Sequence, residues 1–441
     1  MQRNAIKYLI DWKNKSDRMP LIIQGARQVG KTWIMEEFGK LEFKNVIYIN
    51  FDENEELQTV FAKNLSPQRI IEELEAVFKQ KISAENTLLI FDEIQECNRA
   101  LTSLKYFCEQ APQYHIIAAG SLLGVAMHKD ASFPVGKVDI LNLYPLSFAE
   151  FLEAAGETRF SGIIEKQNYS LLSAIKDDLF RYLKHYFFVG GMPKSVLAYI
   201  ENKDFDEVRR IQERILDTYR LDFSKHINAA SIPKVAMIWD IIPSELSLEH
   251  KKFLYKDMKP GARASQFEDA MQWLENTGLI YKIHNVSNPM LPLRAYQSGA
   301  FKFFIVDIGL MSAQVDLTVD NLIEPNTQVF SHFNGALTEQ FVLQELEALE
   351  DKPKIFYWTN EKGKAEIDFL IQDKGLIIPI EVKAALNVKA KSLKYFIETY
   401  EPPIAVRSSL LDYSRNNNLF EIPLYLISKF RKVVNLKNQS N

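Results

Sequence analysis

The stretch "GARQVGKT", Gly25 to Thr32, follows the apolar run Leu21-Ile22-Ile23 and precedes the helix-forming run "WIMEEF". The spacing G-x-x-x-x-G-K-T between a strand and a helix leaves few folds open, chiefly a parallel α/β sheet with a phosphate-cradling loop. Each residue type answers a chemical need. Gly25 and Gly30 let backbone N–H groups approach phosphate, Lys31 reaches the β and γ phosphates, and Thr32 holds Mg²⁺ at a helix N-terminus. The loop Gly25, Ala26, Arg27, Gln28, Val29, Gly30, Lys31, Thr32 and Trp33 is therefore read as an ATP-binding segment.

"TLLIFDEIQE" supplies the partner carboxylates. Leu88 to Phe91 form a buried strand that ends in Asp92, suited to hold Mg²⁺, and Glu93, suited to polarise an attacking water. Hydrolysis is thus expected as well as binding. Ser121, after the strand in "HIIAAGS", is placed to sense the γ-phosphate, although serine at a strand end is also ordinary. The runs "PLIIQ", "NVIYINF", "TLLIF" and "HIIAAGS" alternate with helical stretches, which predicts a parallel sheet covered on both faces. One such helix has Ser66 as cap and Pro67 in its first turn; a capping box is expected at Ser147 and Glu150.

At 441 residues the chain exceeds one ordinary core, and changes of pattern suggest three domains: 1–190, 191–325 and 326–441. The middle one is expected to be helical, with "RASQFEDAMQWLENTGLIYKIHNV" as the last helix and wing of a winged helix-turn-helix. That helix carries Glu268, Asp269 and Glu275, acids that would repel phosphate, so packing against a domain or partner suits it better. No apolar run reaches the ~18–20 residues of a membrane span. With no signal peptide visible and only Cys97 and Cys108, a cytoplasmic location is expected. The net charge of −4 gives no overall attraction to nucleic acid, so any such contact needs a local patch.

In the last domain, Asp368 is followed thirteen residues later by Glu381-x-Lys383 within "GLIIPIEVKA". Side chains alternate along a strand, so Glu381 and Lys383 share a face. This D…(D/E)-x-K arrangement resembles the core of restriction-endonuclease-like folds. Asp368 and Glu381 would bind Mg²⁺, and Lys383 would orient water and stabilise charge. Glu339 lies on the apolar stripe of Val342, Leu343, Leu346 and Leu349 and needs a cation or a metal; the resemblance makes it the first-helix acid of such a site. The other reading of the four is an ion-pair network in an inactive nuclease-like fold. Lys383, Lys389, Lys391 and Lys394 occur with no acid among them, which suits a phosphate-binding stripe, but for the lysines alone a solvated helix face is the preferred reading.

"RQVGKT", "IFDEIQ", "AAGSLLG", "LYPLSFAEF", "GGMPKSV" and "VDIGL" together resemble the bacterial and archaeal AAA-type ATPases that carry a C-terminal domain of unknown function. The resemblance covers nearly the whole chain. It implies a Gly190-Gly191-x-Pro193 turn near the nucleotide. Gly136-Lys137 departs from the usual Gly-Arg, and a lysine cannot make the forked phosphate contact of a guanidinium. The expected protein is an α/β, Mg²⁺-dependent ATPase controlling a DNA-binding, nuclease-like region, with a homo-oligomer allowed. The alternative is an ATP-driven switch whose nuclease-like region does not cut.

Overall fold

The computed structural model describes residues 1–120, 133–247, 264–320, 333–360, 365–384 and 391–436. It divides into two compact units, Met1–Tyr144 with Trp273–Leu279, and Pro145–Gln272 with Ile280–Asn441.

The first unit is built on β1 (Leu21–Gln24), β2 (Asn45–Asn50), β3 (Thr87–Asp92), β4 (His115–Ala119) and β5 (Asp139–Asn142). They form one parallel sheet in the order β2-β3-β4-β1-β5. Helices α1 (Ala5–Asn14), α2 (Lys31–Glu42), α3 (Glu55–Ala62), α4 (Pro67–Phe78) and α5 (Asn98–Gln110) accompany it. Alternation along the strands divides their side chains between two cores. Ile22, Ile47, Ile49, Leu89, Phe91 and Ile116 pack with Ile70, Leu74, Leu101 and Leu104 of α4 and α5. Leu21, Ile23, Leu88, Ile90 and Ile117 pack with Leu9, Trp12, Ile34 and Phe38 of α1 and α2. Burial on both faces explains why these strands read as continuous apolar runs. Pro67 opens α4 as expected, but the Ser66 side chain makes no cap hydrogen bond.

The second unit holds a mixed eight-stranded sheet, ordered β12-β13-β11-β10-β9-β8-β6-β7. Its strands are β6 (Ile280–Val286), β7 (Gln297–Ile305), β8 (Lys354–Thr359), β9 (Glu366–Asp373), β10 (Leu376–Val382), β11 (Ala405–Ser409), β12 (Ser414–Asn416) and β13 (Leu419–Pro423). The sequence division into three domains differs from this arrangement for two physical reasons. Strand β6, expected as the first strand of a wing, pairs with β8 as well as with β7, so both belong to the C-terminal sheet. The segment after β5 also bonds within the second unit: Leu146 N–H donates to Gly191 O at 2.7 Å, and Phe148 N–H to Glu345 Oε1 at 2.8 Å. The capping box at Ser147 and Glu150 forms as read.

The helix Phe333–Glu347 differs from its expected amphipathic form, because it is buried on all faces from Ala336 to Glu347. Its polar side chains satisfy particular backbone groups instead of facing water. Gln340 takes the N–H of Ile305 at 3.0 Å and donates to the same residue's carbonyl, so one amide extends the ladder at edge strand β7. One turn on, Gln344 accepts from Ile308 N–H at 2.9 Å and donates to the Tyr186 hydroxyl at 2.8 Å.

Candidate functional site

The loop after β1 has the backbone its sequence requires. Gly25 has φ +152°, and a Cβ there would lie 2.3 Å from the Leu143 carbonyl oxygen. Gln28 and Gly30 take the left-handed φ values of +64° and +96° just before α2 begins at Lys31. The loop is anchored from behind by buried Arg3, which donates to the Val29 and Tyr144 carbonyls at 3.3 and 2.6 Å. Trp33, expected at the nucleotide, is 39% exposed, whereas Ala26 and Val29 are buried.

Lys31 is 7% exposed, and its Nζ donates to the carbonyls of Gly25 at 2.8 Å and Ala26 at 3.0 Å. Burial pushes its pKa down to about 8, with Glu93 and Asp92 opposing the shift. At the end of β3, Asp92 gathers three donors. Thr32 Oγ1 and the Tyr48 hydroxyl donate to Oδ2 at 2.7 and 2.9 Å, and the N–H of Glu93 donates to Oδ1 at 3.0 Å. Burial, followed by Asp92, holds the Tyr48 phenol protonated well above its ordinary range. Glu93 sits at φ +47°, and Gln95 Nε2 donates to its Oε2 at 2.5 Å. A threonine hydroxyl and a carboxylate at a helix N-terminus are hard oxygen donors, a set that fits Mg²⁺. Strand β4 runs between β1 and β3; Ser121, expected to sense the γ-phosphate, lies outside the described residues. Lys137, the departure noted above, pairs with Glu109 at 3.1 Å.

The Gly190-Gly191 turn belongs to a buried joint of the second unit. Gly190 has φ +72°, and a Cβ there would stand 2.2 Å from Asp307 Oδ1. Gly191 N–H donates to Asp307 Oδ2 at 2.6 Å, Leu310 N–H to Oδ1 at 3.0 Å, and Gln344 to Oδ2 at 3.4 Å. Burial nevertheless lifts the Asp307 carboxyl to about 6. Pro193 opens the helix Pro193–Asn202. Three separated motifs, "YPLSF", "GGMP" and "VDIGL", therefore meet through Leu146, Gly191 and Asp307. Sequence spacing alone could not show that meeting.

In the C-terminal sheet, the β9–β10 ladder ends at Phe369 opposite Ile380, and Asp368 Oδ2 takes the next free N–H, that of Val382, at 2.8 Å. Lys383 Nζ lies 2.5 Å from Glu381 Oε1, while Glu381 Oε2 is buried without a hydrogen-bond partner. Burial foremost, and then Asp368, raises the Glu381 pKa. Burial disfavours the Lys383 ammonium, but Asp368 and Glu381 outweigh it and raise its pKa.

Glu339 has a different neighbour. Lys302 of β7, with a fully buried side chain, lies 3.9 Å from Glu339 Oε2 and 2.5 Å from Glu366 Oε1, over the Tyr357 ring. Glu339 thus shares its lysine with Glu366, while Asp368, Glu381 and Lys383 act on one another and Glu366 acts electrostatically on Glu381 and Lys383 as well. Among the described residues, no three His, Cys, Asp or Glu side chains are grouped to hold a metal ion. Lys394 pairs with Glu398 at 3.7 Å, Lys391 is exposed, and Lys389 lies outside the described residues. Sequence reasoning missed Tyr48, Gln95, Lys302 and Glu366. Lys302 had a signal, as the only charge in the apolar run "AFKFFIV".

The sheet order, the loop and the Asp92–Glu93 pair give the first unit the α/β fold of a P-loop NTPase. Residues 17–152 match the family model of an AAA domain. Residues 180–321 and 334–427 match models of two domains of unknown function, DUF8612 and DUF4143. Comparison with curated proteins finds no match. Among solved structures, the chain is similar to a Walker-type ATPase of Pyrococcus abyssi, with 14% identity, 71% of this chain and 95% of that one covered, and a TM-score of 0.41. It is similar to the Orc1 protein of Aeropyrum pernix, solved in complex with DNA, with 10% identity, coverage of 71% and 91%, and a TM-score of 0.25. The match to Cdc6p of Pyrobaculum aerophilum has 12% identity, coverage of 73% and 94%, and a TM-score of 0.26. Among the described residues, no helix is long and apolar enough to cross a membrane.

Proposed function

We propose that the chain is a Mg²⁺-dependent ATPase whose nucleotide state switches the contacts of its C-terminal region. The convergence of Thr32 and Asp92 beside Lys31 and Glu93 carries this reading. The loop N–H groups and the Lys31 ammonium bind the phosphates and stabilise the charge that develops on them. Glu93, held by Gln95, accepts a proton from the attacking water or polarises it. Mg²⁺, when bound by Thr32 and Asp92, neutralises charge on the β and γ oxygens. Replacing Glu93 by Gln should retain ATP binding and slow phosphate release by roughly 10²–10⁴-fold, the range for a lost acid–base group. Unchanged phosphate release from purified Glu93→Gln protein would refute this role.

For the C-terminal region, the pairing of Lys302 with Glu339 and Glu366 supports an output domain that binds nucleic acid or protein without cutting. A second reading, a metal-dependent nuclease, draws on the neighbouring Asp368 and Glu381 carboxylates and on the unpartnered Glu381 Oε2. Incubating linear and supercoiled DNA with Mg²⁺ or Mn²⁺, with and without ATP, separates the two. Intact DNA throughout is expected. Cleavage that disappears in Asp368→Ala would establish the nuclease instead.

A further inference from the structure

We infer that Tyr48 is a positioning residue for the magnesium site, acting through Asp92; the inference rests on the ATPase reading above. Asp92 is 2% exposed, and its Oδ2 receives two hydroxyls from different elements, Thr32 at the start of α2 and Tyr48 from β2. A threonine hydroxyl that donates its proton to Asp92 keeps its oxygen lone pairs for a cation. A tyrosine hydroxyl on the same oxygen supplies a second direction, and the Glu93 N–H on Oδ1 supplies a third. Three bonds from three places fix the rotation of the carboxylate, which two would leave freer to turn.

The sheet brings Tyr48 there by register. β2 and β3 are parallel, with Tyr48 opposite Ile90 and Asn50 opposite Asp92, so Tyr48 is set back by two residues. A phenol ring spans that offset where a shorter hydroxyl side chain could not. Its ring also packs at the margin of the core formed with α1 and α2, which limits its own rotation. Tyr48 therefore couples the position of β2 to the orientation of Asp92. Groups that orient a metal ligand typically change metal affinity or activity by about 10–100-fold when removed.

Tyr48→Phe removes the hydroxyl and keeps the ring. The full chain and this variant would be titrated with Mg²⁺ in the presence of a fluorescent ATP analogue, with a parallel titration in EDTA. The half-saturating Mg²⁺ concentration should rise roughly 10-fold in the variant. Analogue binding in EDTA should not change, the melting temperature should fall by only a few degrees for the lost hydrogen bond, and hydrolysis should recover at high Mg²⁺. Superimposable Mg²⁺ curves would overturn the role of Tyr48, as would a loss of binding equal at every Mg²⁺ concentration. If the wild type itself shows no Mg²⁺-dependent nucleotide binding, the ATPase reading fails, a result distinct from the first two.

Discussion

Lys31→Ala should lower phosphate release on the order of 10²–10³-fold, the effect of removing one preorganised charge-stabilising donor. The structure makes Lys31 hard to replace. Its side chain is buried, and its Nζ already points along the loop, held by the carbonyls of Gly25 and Ala26. The burial that pushes its pKa down to about 8 also removes competing water, so a phosphate arriving there meets a poorly solvated cation. Lys31→Arg should not rescue activity, because the larger planar fork must enter a space already bounded by the loop backbone. Folding should survive the alanine change, since position 31 is the first residue of α2 and alanine favours helix. The measurement is phosphate release, with nucleotide binding and thermal melting on the same protein. Retained hydrolysis in a folded Lys31→Ala variant would remove Lys31 from the mechanism.

The P-loop was legible because all its determinants are local. Gly25, Gly30, Lys31 and Thr32 lie within eight residues, and the flanking strand and helix have their own patterns. Asp92 was legible for a similar reason, as the first charge after a wholly buried strand. Tyr48 was not, because its role depends on which strand neighbours β3, a fact of sheet order.

On the helix Phe333–Glu347, the acid on an apolar face, read as needing a cation or a metal, meets a cation. Periodicity identified Glu339 as a carboxylate in need of a cation, but the cation comes from β7, outside the domain assigned to it. The same limit applies to Gln340 and Gln344. On a helix that is buried all round, amphipathic spacing carries little information, and polar residues mark where distant backbone groups must be satisfied. The Asp307 joint adds a third case, in which motifs separated by more than a hundred residues are held together by one carboxylate.

Lys302→Met should be the most destabilising of these substitutions. Removing one partner of a buried ion pair costs about 3–5 kcal/mol, here chiefly because buried Glu339 loses the ammonium beside it and keeps its desolvation penalty. Glu339 is 3% exposed, so water cannot replace the ammonium readily. Methionine keeps much of the chain length, which makes the loss electrostatic more than volumetric. Adding Glu339→Gln and Glu366→Gln should recover much of the stability, since neutralising a buried charged group as a whole is far less costly than orphaning part of it. Hydrogen exchange in β7, β8 and β9 is the suitable measurement, because a two-unit chain need not unfold in one step. Fast exchange confined to Lys302→Met, and reversed in the triple variant, is the expected result. A stable Lys302→Met that gains Mn²⁺ affinity would instead mean that the lysine occupies a place a metal can take, and the nuclease reading would then regain ground.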